Sequence, residues 1–244
     1  MDKINDWQWE DKVITESTND DALVLSSQLT GTKFIITAEE QTKGRGRRGR
    51  QWISLKGNLF FSQGIEFETR FLGQLICLES LSLYQTMKAL VPSKHKVNLK
   101  WPNDVLIDDC KVSGTLLEKG KGDYFIIGTG VNICVAPTTK DLLYPVTSLA
   151  EKGINIDRIA FLRSYIDNFD NNYELWQKTG FAEIKQQWIN AVKGLHQEIV
   201  VKMPTEEIKG IFEGIGDQGE LLLQTEKALK KIFAGDIFYI KKEE

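Results

Sequence analysis

An α+β domain followed by a small all-β module is what the sequence predicts, and three observations predict it. Short β-rich runs are interspersed with segments of helical apolar spacing from residue 17 to about residue 191. From about residue 196 only brief β runs remain, cut by glycine and aspartate. The chain has 244 residues, the length of one large domain or of one domain with a small appendage. On this reading residues 1–195 form the larger domain and residues 196–244 the module.

The elements follow in order. Ser17-Thr18-Asn19 precedes Ala22, Leu25 and Leu29 at helical spacing, which marks a helix start. Residues 33–39 form a β-rich run around Phe34, Ile35 and Ile36, and residues 59–67 a second one after Gly57-Asn58. Residues 71–90 have helical spacing and stop before Pro92. Four short strands are predicted next, over residues 97–101, 105–107, 112–118 and 124–132, with Asp108-Asp109 as a tight turn. Residues 157–191 read as helical, with Phe161, Tyr165, Phe169, Tyr173 and Trp176 on one buried face. The module then takes its strands from residues 199–203, 208–214, 221–223 and 237–240. It is too short to bury much alone and is expected to pack on the larger domain.

Composition excludes several classes. With 31 basic and 34 acidic residues the formal net charge is −3, so no basic excess exists to drive general binding to nucleic acid or to a membrane surface. No apolar run approaches the roughly 20 residues of a membrane helix. The first twelve residues mix acids, tryptophan and glutamine, unlike a signal peptide. Cys77, Cys110 and Cys134 are widely spaced and odd in number, which suits a reduced cytoplasm. A soluble cytoplasmic protein is expected.

Arginine usage points to a site. Of seven arginines, four fall within Gly44-Arg45-Gly46-Arg47-Arg48-Gly49-Arg50. Arginine presents a planar, permanently charged fork that grips carboxylate or phosphate through two bonds, which lysine does not. The three glycines allow positive φ and close backbone approach, and they leave the loop expensive to order until an anion arrives. Three readings are open for it: a solvated charged loop, an RGG-like nucleic-acid tract, and an anion clamp in an active site.

A second cluster is Lys100-Trp101-Pro102-Asn103-Asp104-Val105, followed across the Asp-Asp turn by Lys111-Val112-Ser113-Gly114. Pro102 interrupts the ladder and leaves Asn103 and Asp104 at a strand margin. Hairpin pairing brings Lys111 back beside Asp104. The alternative is an ordinary hairpin with surface charges. Gly128-Thr129-Gly130-Val131-Asn132 ends the next apolar strand, with Asn132 as a candidate nucleotide contact. Two unrelated histidines, His95 and His196, supply no Ser-His-Asp or Cys-His system, and no cluster has metal-ligand spacing. The Walker signature is missing, as is a Gly-x-Gly-x-x-Gly that opens a helix. This inventory suits a reaction that joins two anions by positioning and charge neutralisation.

The run from Gly44 to Trp52, the Lys100–Val105 run and Lys111-Val112-Ser113-Gly114 together resemble the biotin–protein ligase family, with its G-R-G-R-x-G-R-x-W, K-W-P-N-D and K-x-x-G segments. Glu16-Ser17-Thr18-Asn19 and Gln41 match the family's early biotin-pocket residues, and the resemblance runs from about residue 10 to 240. It implies a catalytic domain with a class II aminoacyl-tRNA-synthetase-like mixed sheet and a small C-terminal SH3-like β-barrel. Only 15 residues precede Glu16, so neither the family's N-terminal DNA-binding domain nor a repressor role is expected.

The implied reaction has two steps. The biotin carboxylate attacks the α-phosphate of ATP, with Mg²⁺, and the resulting biotinyl-5′-AMP then acylates one lysine of a biotin carboxyl carrier domain of a biotin-dependent carboxylase. By motif, Ser17, Thr18, Asn19, Gln41, Gly44, Arg45, Lys111 and Gly114 line the biotin site, Gly114 letting the backbone approach the biotin ring. Arg47, Arg50, Trp52, Asn103 and Asn132 hold the nucleotide. Lys111 and Arg47 are the implied catalytic cations. Asp104 orients Lys111, polarises the incoming lysine, or serves structure alone. Metal ligands are not implied. Ser113 and Thr115 depart from the aliphatic residues common around that glycine, which bears on pocket tightness. No nucleic acid or membrane partner is expected, and either a monomer or a homodimer fits. Two rivals remain: a lipoate or octanoate ligase, disfavoured because no R-R-x-S-G-G-G-x-V-x-H-D segment is present, and a nucleic-acid-binding module built on the arginine loop.

Overall fold

Two β-sheets organise the chain in a computed structural model that describes residues 1–139 and 144–240. The first sheet has eight strands: β1 (Asp2–Ile4), β2 (Trp7–Thr15), β3 (Phe34–Gln41), β4 (Leu59–Glu66), β5 (Val97–Lys100), β6 (Asp104–Ile107), β7 (Cys110–Lys119) and β8 (Tyr124–Val131). Their spatial order is β1-β2-β3-β4-β8-β7-β6-β5. Only β2 and β3 are parallel neighbours, joined across α1 (Thr18–Ser26), so the sheet is mixed. The second sheet is wholly antiparallel, with β9 (Glu198–Lys202), β10 (Glu207–Ile215), β11 (Leu221–Gln224), β12 (Leu229–Ile232) and β13 (Asp236–Tyr239) in the order β12-β11-β10-β9-β13. Where a small barrel was expected at the C-terminus, the structure has this five-stranded antiparallel sheet.

Alternation along the strands divides the large sheet into two chemically different faces. Ile35, Phe61, Ile65, Phe125, Ile127 and Val131 point into the main core, which α2 (Leu72–Leu90), α3 (Arg158–Thr179) and α4 (Phe181–Ala191) complete. The aromatic stripe predicted for residues 157–191 lies there, with Phe161, Tyr165 and Phe169 fully buried. The core continues without a break into the second sheet through Ile199, Val201, Phe212 and Leu221. On the opposite face α1 packs its apolar side on Phe34, Ile36, Tyr124 and Ile126. The uncovered remainder of that face is where the site lies.

Several sequence expectations are refined. The predicted helix over 157–191 is two helices, broken at Gly180 (φ 77°). The Asp108-Asp109 turn is present with both residues at positive φ, 47° and 66°, a two-residue connection whose twist matches that of the paired strands. Strands β1, β2 and β12 were not predicted. In β12 only Ile232 is buried, and β2 interleaves charge with half-buried side chains, so neither carries a clean two-residue alternation. Among the described residues no helix is long and apolar enough to cross a membrane.

Candidate active site

A cavity of about 380 Å³ opens on the uncovered face, and its floor is glycine. In the β7–β8 ladder Gly114 lies opposite Gly130, and Leu116 opposite Gly128. A methyl group on Gly128 would lie 1.8 Å from Asn19 Oδ1, one on Gly130 2.2 Å from Trp52, and one on Gly114 2.6 Å from Lys111 Nζ. Side chains from three separate segments therefore press directly onto bare backbone.

One wall comes from the start of α1. Gln41 Oε1 accepts hydrogen bonds from Thr18 N (2.9 Å) and Thr18 Oγ1 (3.0 Å), while Gln41 Nε2 donates to Ser54 Oγ at 3.1 Å. Ser62 Oγ bonds both Thr18 Oγ1 (2.7 Å) and Asn19 Oδ1 (2.5 Å), and Asn19 Nδ2 donates to Glu118. Ser17 is buried at the helix N-terminus, although its hydroxyl makes no capping bond. Polar side chains held this tightly present a fixed pattern of donors and acceptors.

The opposite wall is the hairpin of β5, β6 and β7. Register pairs Lys100 with Asp104 and Asp104 with Gly114. A bulge at Val105–Leu106 then brings Lys111 onto the same side. The outcome matches the sequence expectation, with Lys111 Nζ 2.7 Å from Asp104 Oδ1. The Lys111 backbone is gripped as well: its N–H donates to Pro145 O at 2.8 Å and its carbonyl accepts from Thr147 N at 2.9 Å. The Trp101–Pro102 bond is cis. Asn103 follows it, donating through Nδ2 to Thr115 O and accepting from Arg47 Nη1 at 3.1 Å.

The arginine loop closes the third side, and its behaviour departs from expectation in two respects. Gly46 does not need its conformational freedom: φ is −120°, and a Cβ there would meet nothing nearer than 3.5 Å. The positive φ falls on Arg48 (57°) and Gly49 (71°). The loop is also already fastened by side chains. Arg45 bridges Asp20 (2.6 Å) and Glu118 (3.0 Å). Arg48 and Arg50 converge on Asp236 of β13 at 3.0 and 3.1 Å, and Arg47 Nη2 donates to Gly235 O at 3.3 Å. The C-terminal sheet thus supplies anchors that no local sequence pattern announced. Burial makes the Arg47 cation costlier than usual and lowers its pKa, against the opposing charges of Asp236 and Asp104.

Lys100 and Tyr144 are site residues not assigned in advance. Lys100 is buried, and its Nζ lies 3.0 Å from the centroid of the Tyr144 ring. Burial pulls its pKa down to about 7, with Asp104 opposing and Lys111 adding to the shift. The signal was at hand in the first position of the Lys100–Val105 run. Asn132 donates to Thr147 O at 3.1 Å. Its Oδ1 is buried without a hydrogen-bond partner, as is Trp52 Nε1. Both residues line the cavity. Among the described residues only one other buried side-chain polar atom lacks a partner, Gln63 Oε1 beside Tyr165 in the core, and such atoms are few in folded proteins.

Every residue assigned to the site by motif except Gly44 lines this one cavity, and Gly44 abuts it, its α-carbon facing Trp52 O and Gln41. Residues 12–132 match the biotin/lipoate A/B protein ligase family, and residues 194–239 the biotin protein ligase C-terminal domain. A biotin–[acetyl-CoA-carboxylase] ligase of Paracoccus denitrificans is 34% identical over 92% of this chain and 98% of its own. The chain belongs to the biotin protein ligase family.

The ligase is also 30% identical to the bifunctional ligase/repressor BirA of Escherichia coli (strain K12), over 92% of its own length and 71% of that protein. Its fold superposes on the biotin protein ligase of Aquifex aeolicus in complex with biotin and ATP, with a TM-score of 0.82, 29% identity and coverage of 95% and 97% of the two chains.

Proposed function

We propose that this cavity binds biotin beside ATP and that Lys111, at the junction of the glycine floor and the arginine loop, stabilises the charge as they react. The enzyme is an ATP-dependent biotin ligase. The observation that supports the assignment best is the Lys111–Asp104 contact of 2.7 Å, set against the bare backbone of Gly114.

A carboxylate oxygen of biotin attacks the α-phosphorus, and the bond to the bridging oxygen breaks, releasing pyrophosphate with the electron pair. The ε-amine of a carrier-domain lysine then attacks the acyl carbon, AMP departs, and the amine gives up its proton. Bringing a carboxylate to a polyphosphate is repulsive. Each charge-assisted hydrogen bond that offsets this contributes about 1.5–3 kcal/mol.

The biotin site is assigned to Ser17, Thr18, Asn19, Gln41, Gly44, Arg45, Lys111 and Gly114. The nucleotide site is assigned to Arg47, Arg50, Trp52, Asn103 and Asn132, to which we add Lys100. Asp104 orients Lys111. The orphaned Trp52 Nε1 and Asn132 Oδ1 supply one donor and one acceptor to the bound intermediate. Among the described lining residues Asp104 and Asp236 are the anionic donors, which suits a Mg²⁺ held chiefly by phosphate oxygens and water. That ion neutralises triphosphate charge and polarises the phosphoryl group when bound. Residues 1–195 act as the catalytic domain and residues 196–244 as the module that anchors the arginine loop, within the cytoplasm.

Incubation with biotin, ATP, Mg²⁺ and a purified biotin carboxyl carrier domain should add one biotinyl group to one carrier lysine, read by mass spectrometry. An unmodified carrier under these conditions contradicts the proposal.

Lys100 adds a pH signature. With its pKa near 7, about nine-tenths of the lysine is neutral at pH 8 in the free enzyme. Phosphate beside it favours the ammonium form and raises that pKa. ATP binding at pH 8 should therefore take up close to one proton, and binding at pH 6 almost none. Calorimetric titration in buffers of different ionisation enthalpy measures this. The uptake should vanish in Lys100→Met, and binding heats independent of buffer in the wild type would refute the placement of Lys100 against phosphate.

A further inference from the structure

The glycine floor has an underside, and the reaction described above leaves it unused. Thr115 of β7 lies directly opposite Thr129 of β8 in the ladder, flanked by the pairs Gly114–Gly130 and Leu116–Gly128 that face the cavity. Their side chains point the other way, into the helical layer. There both hydroxyls meet Glu79 of α2: Thr129 Oγ1 donates to Oε1 at 2.7 Å and Thr115 Oγ1 to Oε2 at 2.8 Å. The carboxylate thus spans a single cross-strand pair, one oxygen to each strand. The Thr115 carbonyl also accepts from Asn103 Nδ2, and Asn103 Oδ1 in turn accepts from Arg47. The underside is therefore linked to both the floor and the arginine loop.

Nothing about core packing calls for a carboxylate here. Glu79 has no exposed surface, and its helix neighbours Leu75, Cys77, Leu78 and Leu81 belong to the apolar core. It has no cationic partner among the described residues, and burial pushes its pKa up to about 7 against the two hydroxyl bonds. A buried anion retained without an ion pair is costly. The departure noted in the sequence is explained by the same arrangement. The Thr115 hydroxyl serves Glu79, and that of Ser113 donates to Gly130 O at 2.9 Å.

We propose that Glu79 is a positioning residue for biotin activation, clamping Thr115 to Thr129 from beneath so that the flanking pairs Gly114–Gly130 and Leu116–Gly128 hold a fixed spacing under the substrate. This rests on the biotin-ligase reading of the cavity. When Glu79 is ionised, each hydroxyl donates to a charged oxygen. Protonation gives the carboxyl a donor of its own, and one of the two bonds must reverse or lapse. The titratable group that bears on Glu79 from the elements packed around it is Tyr165 of α3, itself held far above its usual range by burial and by Glu79. Tyr165 stays neutral across the range concerned, its phenol accepting from Gln63 Nε2 at 2.9 Å.

The test is biotin-dependent ATP–pyrophosphate exchange by the full chain between pH 6 and 9, in the wild type and in Glu79→Gln. The glutamine keeps the shape and removes the charge. It should leave thermal stability at pH 8 no lower than wild type while raising KM for biotin about tenfold. In the wild type KM for biotin should rise as pH falls through about 7, and in Glu79→Gln it should stay flat. Lys100 titrates in the same range but acts on ATP, so KM for ATP should keep one pH profile in both proteins. A structural carboxylate would not produce this split. Glu79→Gln with KM and kcat within twofold of wild type, and an unchanged pH profile, overturns the proposal. Should that variant not fold, Thr129→Val removes one arm of the clamp at nearly constant shape, and an unchanged KM for biotin in it overturns the proposal equally. Absence of exchange in the wild type would instead refute the underlying reading of the cavity.

Discussion

Lys111→Ala lowers the rate of biotin-dependent ATP–pyrophosphate exchange by about 10²–10³-fold, the usual cost of losing one preorganised charge-stabilising donor. Three features concentrate the effect on this residue. Its Nζ is fixed by Asp104 at 2.7 Å, its backbone is held on both sides by residues 145 and 147, and its ammonium faces the Trp52 ring at 5.4 Å. Little reorganisation remains to be done at the moment of reaction. The fold should survive, because the Asp104 carboxylate keeps cations beside it: its charge also acts on Lys100 and Arg47, so losing Lys111 does not leave it uncompensated. Circular dichroism and thermal melts check the fold, and exchange rates check the chemistry. If Asp104 acts through Lys111, then Asp104→Asn should add little to Lys111→Ala. A Lys111→Ala enzyme within a few-fold of wild type removes Lys111 from the mechanism.

Gly128→Ala raises KM for biotin by about 30–100-fold, the equivalent of about 2–3 kcal/mol of steric displacement. The new methyl group would lie 1.8 Å from Asn19 Oδ1, and Asn19 has no free path aside. It is buried and held by Ser62 at 2.5 Å and by Glu118. Displacing it disturbs Ser62, hence Thr18 and Gln41, the wall assigned to biotin. Gly46→Ala serves as the contrast. Although it falls in the most distinctive motif of the chain, its nearest neighbour would be 3.5 Å away, so substrate-free stability should be close to wild type. A Gly128→Ala enzyme with unchanged KM for biotin would place biotin elsewhere.

How much of this was legible depended on the range of the interaction. The Lys111–Asp104 contact was readable, because a two-residue Asp108-Asp109 turn fixes which residues of one hairpin meet. The first wall was readable only in part. Ser17 to Asn19 announce a helix start, but their bonding to Gln41 and Ser62 runs through strand pairing that the local pattern does not encode. Asp236 lies 186 residues from Arg50, which it holds, and no local signal connects them. Glu79 was absorbed into an amphipathic helical stretch, where a glutamate reads as solvent-facing. Its burial follows from Thr115 and Thr129 meeting it across the helix–sheet interface. Strand β12 was missed for the opposite reason: three of its four residues are exposed, and β11 supplies the pairing that makes it a strand.

The central claim is that this cavity activates biotin with ATP, and ATP–pyrophosphate exchange tests it most directly. The purified chain with Mg²⁺ and labelled pyrophosphate is assayed without added acid, with biotin, and with lipoate or octanoate. Exchange that requires biotin and is not supported by the other acids is the predicted result. Exchange driven by lipoate or octanoate, or none with any acid, would contradict it.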